Sequence, residues 1–340
     1  MRTSVALFYL TGFALPLHAT EAPTRHEFRE VHMGTEWSII FYAPDKTTAE
    51  AASKAAFARV AELDRVMSDY NPKSELMRLC AKNDAEPGKP IRVSGDLLAV
   101  LARADLAARA SDGAFDITVG PMVKLWRVAR KVKELPDAKE LRAAKELVGF
   151  KLIEIDPKES AVKLAKAKMR LDLGGIGKGF AADAALDVLK NHKLPQALIA
   201  ASGDITVGDA PPGRDAWEVE IAPITKGQPD RKLKLVNASV STSGDLFQHV
   251  EIDGVRYSHV LDPKTGLGLT GRRSATVIAP KGWQADAYTK VASVMPPEAA
   301  MTALMKTEGI EMSIVTKADD DAPDVKTETK GFAKYLSPSR

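Results

Sequence analysis

The sequence contains very little cysteine. Cys80 is the only one among 340 residues, so no disulfide can form within the chain, even in an oxidising compartment. No cysteine lies near the amino terminus, and a lipid anchor on an N-terminal cysteine is therefore not expected. The fold must be held together by its core, for which the 45% content of hydrophobic residues is sufficient.

The chain also lacks an excess of charge of one sign. It has 48 basic and 45 acidic residues, a formal net charge of +3, and both signs are interspersed along the sequence. Proteins that bind nucleic acid usually carry a concentrated positive patch. We therefore expect no nucleic acid among the partners of this chain.

No apolar run is long enough for a stable membrane span. The stretch from Val5 to Leu17 covers 13 residues, whereas a transmembrane helix needs about 20. Arg2 lies before this stretch and a small residue follows it, which is the pattern of a secretory signal peptide over residues 1–19. Cleavage is expected between residues 19 and 22, and an uncleaved anchor is the alternative.

Hydrophobic spacing divides the rest of the chain, residues 24–338, into the helices and short strands of what we expect to be a single domain. Apolar residues at intervals of three and four predict helices over residues 48–69, 94–111, 136–148, 179–191, 284–294 and 297–307. Short apolar runs predict strands at 27–31, 37–42, 152–155, 161–164, 197–201, 217–222, 233–236, 240–243, 247–252, 255–260, 274–278 and 332–336. Most connections between strands are too short for a crossover helix, so the predicted fold class is α+β with a largely antiparallel β core and flanking helices.

The first of four candidate functional segments is a glycine loop. Residues 171–180, LDLGGIGKGF, run from a strand through glycines into a helix. Backbone N–H groups of such a loop, together with a helix N-terminus, are suited to bind phosphate. The segment is neither a P-loop, because Gly179 stands where a hydroxyl residue should follow the lysine, nor a Gly-x-Gly-x-x-Gly dinucleotide loop. A tight strand-to-helix turn without a ligand is the alternative.

The second segment contains a histidine and a tight turn. Residues 262–266, Asp-Pro-Lys-Thr-Gly, form a strong turn signal directly after a predicted strand. Such a turn holds His259 and Thr265 at the end of the strand, which is a suitable place for catalysis. A structural histidine beside a capped turn is the alternative.

The other two segments are weaker individually. Residues 241–245, STSGD, offer hydroxyl groups that can donate to phosphate or ribose oxygens, although serine-rich turns are common. Asp286 lies in a predicted helix, where a lone aspartate is more often a cap or a surface charge than a metal ligand. The four segments together indicate a cradle for a large phosphorylated ligand.

These segments resemble the ApbE family of FAD:protein FMN transferases over nearly the whole mature chain. The stretches that carry the resemblance are residues 33–35, 68–75, 113–121, 172–179, 202–204, 241–245, 259–266 and 285–287. The resemblance implies an antiparallel sheet core like that of the T-fold. It also implies that FAD binds with Mg²⁺ at its pyrophosphate, that AMP is released, and that FMN is joined through a phosphoester to a threonine or serine of another protein.

The resemblance further implies roles for single residues. Asp286 is the expected carboxylate ligand of Mg²⁺, with a backbone carbonyl of the glycine loop, assigned to Gly177, as a further ligand. His259 is the expected general base for the acceptor hydroxyl, since an imidazole is largely neutral at pH 7. The residues expected to bind the cofactor or to hold its loops are Met33, Tyr70, Asp116, Gly175, Lys178, Asp204, Ser243, Asp262 and Thr265.

One position departs from the family pattern. Many family members have a threonine four residues after the magnesium-binding aspartate, whereas this chain has Lys290 there and Thr289 one residue earlier. Either Thr289 or water fills the coordination position, or Lys290 itself neutralises the phosphate and relaxes the demand for metal. An ammonium group cannot ligate magnesium.

Two other functions fit the same segments. A magnesium-dependent pyrophosphatase that splits FAD into FMN and AMP uses the same groups, with water in place of the acceptor hydroxyl. A non-catalytic periplasmic FAD-binding protein needs the cradle without a base, and the presence of His259 argues against it. For the transferase, the resemblance implies an exported acceptor domain of a membrane electron-transfer complex with a Thr/Ser flavinylation motif, in the periplasm or at the outer face of the inner membrane.

Overall fold

The computed structural model describes residues 22–225, 231–244, 248–318 and 322–337. The predicted signal peptide, residues 1–19, lies outside these described residues. The predicted fold class is confirmed, because helices flank a large sheet in which every pair of neighbouring strands is antiparallel.

Within the residues that the structure describes, the strands form one large sheet and three small ones. Their bounds are β1 Thr24–His32, β2 Thr35–Ala43, β3 Ile91–Arg92, β4 Ile153–Asp156, β5 Ala161–Leu164, β6 Ala197–Ala201, β7 Asp204–Val207, β8 Trp217–Ile221, β9 Arg231–Leu235, β10 Ala238–Gly244, β11 His249–Ile252, β12 Val255–Leu261, β13 Gly268–Thr270, β14 Arg272–Ala279, β15 Glu311–Lys317 and β16 Val325–Glu328. The large sheet has the order β1-β2-β6-β7-β10-β14-β15-β16, and the small ones are β11-β12-β13, β3-β5-β4 and β8-β9.

The helices bury apolar faces against the large sheet and against one another. Their bounds are α1 Lys46–Met67, α2 Glu75–Ala85, α3 Gly95–Ala110, α4 Gly120–Val132, α5 Ala138–Lys145, α6 Gly177–Asn191, α7 Gly282–Val294 and α8 Pro297–Leu304. Short 3₁₀ helices lie at Phe150–Leu152 and Phe332–Tyr335. Among the described residues, none of the helices has the length and apolarity needed to cross a bilayer.

One local prediction is wrong, and several elements, among them α2, α4, β7 and β15, are not predicted. The strand predicted at 332–336 is a 3₁₀ helix over Phe332–Tyr335, because the apolar residues that pack against the core, Phe332, Tyr335 and Leu336, do not alternate as they would in a strand. Helices α2 and α4 are not predicted, although both carry usable signals. Ser74 caps α2 by accepting a hydrogen bond from the backbone N–H of Met77 at 3.0 Å. In α4 the buried residues Met122, Trp126 and Ala129 follow helical spacing.

Helices α6 and α7 meet at two glycines. A Cβ atom on Gly179 would lie 2.1 Å from the carbonyl oxygen of Gly282 and 2.9 Å from Cβ of Asp286. One turn later on α6, the carboxylate of Asp183 accepts hydrogen bonds from the backbone N–H groups of Gly282 at 2.7 Å and Trp283 at 3.1 Å. The start of α7 is thereby fixed against the start of α6, and Asp286 points at the N-terminus of α6.

We expect Gly179→Ala to lower the free energy of unfolding by about 1–3 kcal/mol, because the added methyl group meets backbone atoms that cannot rotate away. The matched control is Gly95→Ala at the start of α3, where a Cβ atom meets nothing within 4 Å. Urea denaturation of both variants measures the effect. Equal midpoints for the parent and Gly179→Ala would contradict this packing.

The hairpin of β11 and β12 carries His259 near its open end. A small second core anchors this hairpin to α4, with the rings of Trp126 and Tyr257 5.5 Å apart. At the open end of the hairpin, the backbone N–H of His259 donates to the carbonyl of Gln248 at 3.0 Å. The position of His259 therefore depends on the packing between α4 and the hairpin.

Candidate active site

A cleft of about 1090 Å³ lies where the glycine loop meets α4, β7, β10 and the end of β12. Pockets for drug-sized ligands measure about 300–1000 Å³, so this cleft has room for a larger molecule. Residues from three of the predicted segments line it, and Lys290 of α7 completes the wall. The lining residues used below are Met33, Tyr70, Asp116, Arg127, Gly175, Gly177, Lys178, Asp204, Ser243, His259 and Lys290.

Two lysines of the cleft wall are held by buried carboxylates. Lys178 Nζ lies 2.9 Å from Oδ2 of Asp204 and 3.8 Å from Oδ2 of Asp286. Lys290 Nζ lies 3.0 Å from Oδ1 of the same Asp286. The backbone N–H of Gly179, at the start of α6, donates to Oδ2 of Asp286 at 3.1 Å. One carboxylate thus fixes two ammonium groups at the cleft wall.

The charged states of Asp286 and Lys178 depend on the ion pairs between them and their neighbours. Burial alone would raise the pKa of Asp286, but Lys178 and Lys290 hold the pKa of this carboxyl below its usual range. Burial likewise opposes the charged form of Lys178, but Asp286 and Asp204 raise the pKa of its ammonium group above the usual lysine value. Asp286 and Lys178 therefore both stay ionised at neutral pH.

Two hydroxyl groups extend the cluster away from the cleft. Ser241 Oγ donates to Oδ1 of Asp204 at 2.5 Å and lies 3.3 Å from Oγ1 of Thr289. Thr289 Oγ1 donates to the carbonyl of Asp286 at 2.7 Å and accepts a hydrogen bond from Lys290 Nζ at 3.1 Å. The side chains of Ser241, Asp286 and Thr289 are fully or almost fully buried.

The oxygens expected to bind Mg²⁺ are already engaged. Lys290 Nζ contacts the carboxylate and the carbonyl oxygen of Asp286 and the hydroxyl of Thr289. Among the residues that the structure describes, no group of three or more His, Cys, Asp or Glu side chains is placed to hold a metal ion. A cation bound at Asp286 would stand beside two ammonium groups. Gly177, the third expected ligand, lies on the cleft wall. The oxygens of Asp286 and Thr289 therefore do not fit a resident Mg²⁺ at this place.

His259 is neutral and has a defined proton position. Its Nδ1 lies 3.2 Å from the carbonyl oxygen of Gln248, and because a carbonyl only accepts, Nδ1 carries the proton. Nε2 is then the ring atom that can accept a proton. Burial, followed by the nearby positive charge of Lys290, lowers the pKa of His259 to about 4. The ring is therefore a base over the whole neutral range.

Arg127 of α4 belongs to the site although the sequence analysis does not identify it. Its guanidinium pairs with Asp69 at 2.5 Å and with Asp172 at 2.9 Å, and it lies 4.2 Å from the centroid of the Tyr70 ring. Asp172 also accepts a hydrogen bond from the backbone N–H of Gly174 at 2.7 Å. Arg127 therefore ties the end of α1, Tyr70 and the glycine loop together along one side of the cleft.

Tyr70 and Met33, the two residues expected to face ring systems, both line the cleft. Tyr70 is 75% exposed, so it is not a core residue, and its ring is free on the side away from Arg127. Met33 lies in the turn between β1 and β2 with φ +49°, and its backbone N–H donates to Asp64 at 3.3 Å. Both side chains are available to a ligand in the cleft.

Three more of the predicted residues also lie in the cleft wall: Asp116, Gly175 and Ser243. Burial raises the pKa of Asp116, whose Oδ1 accepts hydrogen bonds from the backbone N–H and the hydroxyl of Thr118 at 2.8 and 2.6 Å. A Cβ atom on Gly175 would lie 3.2 Å from Cγ of Lys290, so glycine at this position allows the lysine stem to pack on the loop.

Asp262 and Thr265 line a separate cavity of about 340 Å³ beside the cleft. Asp262 Oδ1 accepts a hydrogen bond from the backbone N–H of Lys264 at 2.8 Å, and Thr265 Oγ1 accepts one from the backbone N–H of Leu267 at 3.3 Å. These bonds stabilise the turn that follows β12. In the structure both side chains therefore form hydrogen bonds within their own loop.

Known proteins resemble this chain along most of its length. The sequence profile of the ApbE family matches residues 33–314. An FAD:protein FMN transferase of Klebsiella pneumoniae is 30% identical over 302 residues, which are 87% of this chain and 90% of that protein. The corresponding enzyme of Treponema pallidum is 33% identical over 300 residues, 83% of this chain and 82% of that protein.

Solved structures agree with the sequence comparison. The flavinyl transferase ApbE of Pseudomonas stutzeri, crystallised in its apo form, superimposes with a TM-score of 0.80 at 26% identity, covering 96% of this chain and 100% of that one. The flavin transferase ApbE of Vibrio cholerae gives a TM-score of 0.81 at 25% identity, covering 92% and 100%. With motifs, profile and fold in agreement, this chain belongs to the ApbE family.

Proposed function

We propose that this chain is an FAD:protein FMN transferase, an enzyme that moves FMN from FAD onto a threonine or serine hydroxyl of another protein. The observation that carries the proposal is a neutral histidine, His259, in the same cleft wall as Lys178 and Lys290. Transfer needs a base for the attacking hydroxyl and positive charge at the phosphates, and the cleft supplies both.

In the proposed reaction, the acceptor hydroxyl oxygen forms a bond to the phosphorus on the FMN side of FAD. The bond from this phosphorus to the bridging oxygen breaks, and AMP leaves with the electron pair. Nε2 of His259 takes the hydroxyl proton, while Lys178 and Lys290 balance the charge of the pyrophosphate. The N–H groups at the start of α6 add partial positive charge beside the glycine loop.

The ring systems of FAD are proposed to contact Met33 and Tyr70. Stacking on an aromatic ring contributes about 0.5–1.5 kcal/mol beyond the burial of area. The guanidinium of Arg127 lies over the ring of Tyr70 and limits its rotation. Tyr70 is therefore a preorganised platform for the isoalloxazine or the adenine.

The oxygen atoms expected to ligate Mg²⁺ do not favour its binding in this chain. When bound at a pyrophosphate, Mg²⁺ neutralises charge through oxygen ligands. By resemblance the expected ligands are Asp286 and a backbone carbonyl of the glycine loop, assigned to Gly177, with Thr289 or water at the departing position. The oxygens of Asp286 and Thr289 accept hydrogen bonds from Lys290. No step of the proposed reaction is therefore assigned to a metal ion.

We also propose that the enzyme is exported and acts in the periplasm or at the outer face of the inner membrane. The support is the signal-like sequence of residues 1–19. The proposed acceptor is an exported domain of a membrane electron-transfer complex that carries a Thr/Ser flavinylation motif.

The test of the function is to incubate the purified protein with FAD and a candidate exported acceptor domain, and to weigh the acceptor by intact mass spectrometry. A mass gain of one FMN phosphoester, with AMP released in equal amount, supports the transferase. Release of both FMN and AMP without a mass gain would identify a pyrophosphatase, and bound FAD without products would identify a flavin-binding protein. The control is the same acceptor with its target hydroxyl residue replaced by alanine.

The lowered pKa of His259 predicts the pH dependence of transfer. In the free enzyme the ring is protonated below pH about 4, so the acidic midpoint of kcat/KM should lie near that value and not at the usual value of about 6.5. The negative pyrophosphate of bound FAD favours the imidazolium, so the midpoint of kcat should lie higher. AMP release measured through the acidic range, with circular dichroism as the control for folding, tests this. A kcat/KM midpoint at the ordinary histidine value would contradict it.

A further inference from the structure

Lys290 is surrounded by oxygens of its own helical turn. Its Nζ lies 3.0 Å from Oδ1 of Asp286, 3.4 Å from the carbonyl oxygen of Asp286 and 3.1 Å from Oγ1 of Thr289. An ammonium group has three N–H donors, and three oxygens lie within reach. Carboxylate, carbonyl and hydroxyl oxygens are also the ligands that hard divalent cations take in proteins. The ammonium group thus occupies a position whose surrounding oxygens are of the kind that ligate a metal cation.

The position of Lys290 is fixed from the side of the glycine loop. Its stem packs on Gly175, where a Cβ atom would lie 3.2 Å from Cγ of the lysine. The Lys290 side chain is 20% exposed and lines the cleft, whereas the Asp286 side chain is 0% exposed. A ligand in the cleft therefore meets the ammonium group and not the carboxylate behind it.

The charges around Asp286 also disfavour a divalent metal ion at this position. Its single negative charge already faces Lys290 and Lys178, and Asp204 balances the second lysine at 2.9 Å. A divalent ion in contact with Asp286 would be repelled by both ammonium groups. It can enter only if the ammonium group of Lys290 leaves the three oxygens.

We propose that the ammonium group of Lys290 takes the place of a metal ion in this chain, so that FAD binding and FMN transfer need no divalent cation. This inference rests on the proposed function. Lys290 and Lys178 donate charge-assisted hydrogen bonds to the pyrophosphate oxygens. In the step itself the acceptor oxygen bonds to phosphorus, the bridging bond breaks, AMP leaves with the electron pair, and the hydroxyl proton passes to His259. Threonine at position 290 would leave the carboxylate and carbonyl of Asp286 free for a metal.

The first test compares the parent with Lys290→Thr, and uses Lys306→Thr as the control for the loss of one charge, because Lys306 is exposed. The affinity for FAD is measured from the change in flavin fluorescence, first in EDTA and then with Mg²⁺ added. We expect the parent and Lys306→Thr to bind FAD with the same affinity in EDTA as with Mg²⁺. Lys290→Thr should bind FAD about tenfold or more weakly in EDTA, and Mg²⁺ should restore its affinity.

Electron paramagnetic resonance of Mn²⁺ supplies a second readout that is independent of activity. With FAD present, the parent should leave Mn²⁺ free in solution, whereas Lys290→Thr should bind it stoichiometrically. Stoichiometric Mn²⁺ binding by the parent, or loss of its FAD affinity in EDTA, would overturn the inference and leave the proposed function standing. A parent that binds FAD in neither condition would overturn both. The measurements on the parent decide the inference even if Lys290→Thr does not fold.

Discussion

Replacing His259 with alanine is expected to slow FMN transfer by about 10²- to 10⁴-fold, the usual contribution of a positioned general base, without weakening the binding of FAD. The carbonyl of Gln248 fixes the proton of the ring on Nδ1, so Nε2 is free to accept the proton of the acceptor hydroxyl. Alanine removes this acceptor. It leaves Lys178 and Lys290, which are proposed to contact the pyrophosphate, and the buried Asp286 behind them in place.

Single-turnover release of AMP measures the rate for His259→Ala, and flavin fluorescence measures its affinity for FAD. His192→Ala is the matched control, because His192 is an exposed histidine at the end of α6, and it should transfer FMN at the rate of the parent. Transfer by His259→Ala at the parental rate would show that another group takes the proton. Loss of FAD binding in the same variant would assign His259 to binding and not to catalysis.

Local sequence patterns account for most of the fold. Strands β5 and β6 begin and end at the predicted residues, because short apolar runs between turn residues define both ends. The helix predicted over 94–111 is α3, and the hydroxyl of Ser94 caps it by accepting a hydrogen bond from the backbone N–H of Leu97 at 3.2 Å. Helix α4 is not predicted, although its buried residues follow helical spacing; in the structure it packs on the small core under the β11–β12 hairpin and lines the cleft.

The order of the sequence motifs identifies the segments of the site but not the contacts between them. Arg127 pairs with Asp69 and Asp172, which are 58 and 45 residues away in the sequence, and no local spacing signals such pairs. The contact of Asp286 with Lys290 is different, because residues four apart share one face of a helix. The sequence therefore shows the departure at Lys290, and the structure shows which oxygens this lysine takes.

Replacing Asp286 with asparagine is expected to lower the free energy of unfolding by about 3–5 kcal/mol, the usual effect of removing one partner from a buried ion pair. Asparagine keeps the size of the side chain and an oxygen that can accept from the backbone N–H of Gly179. It removes the negative charge that holds Lys178 and Lys290 together, so two ammonium groups remain close without their shared partner. Urea denaturation measures the change, and Asp187→Asn, at an exposed position of α6, is the control.

A double substitution separates the loss of charge balance from other effects of Asp286→Asn. If repulsion between the ammonium groups is the cause, Lys290→Met should restore part of the stability lost in Asp286→Asn. The same change should destabilise the parent, because Asp286 loses the nearer of its two ammonium partners. The two effects then differ in sign, which a purely steric role of Asp286 does not predict. Additive losses in the double variant, or an unchanged midpoint for Asp286→Asn, would show that Asp286 does not balance the two lysines.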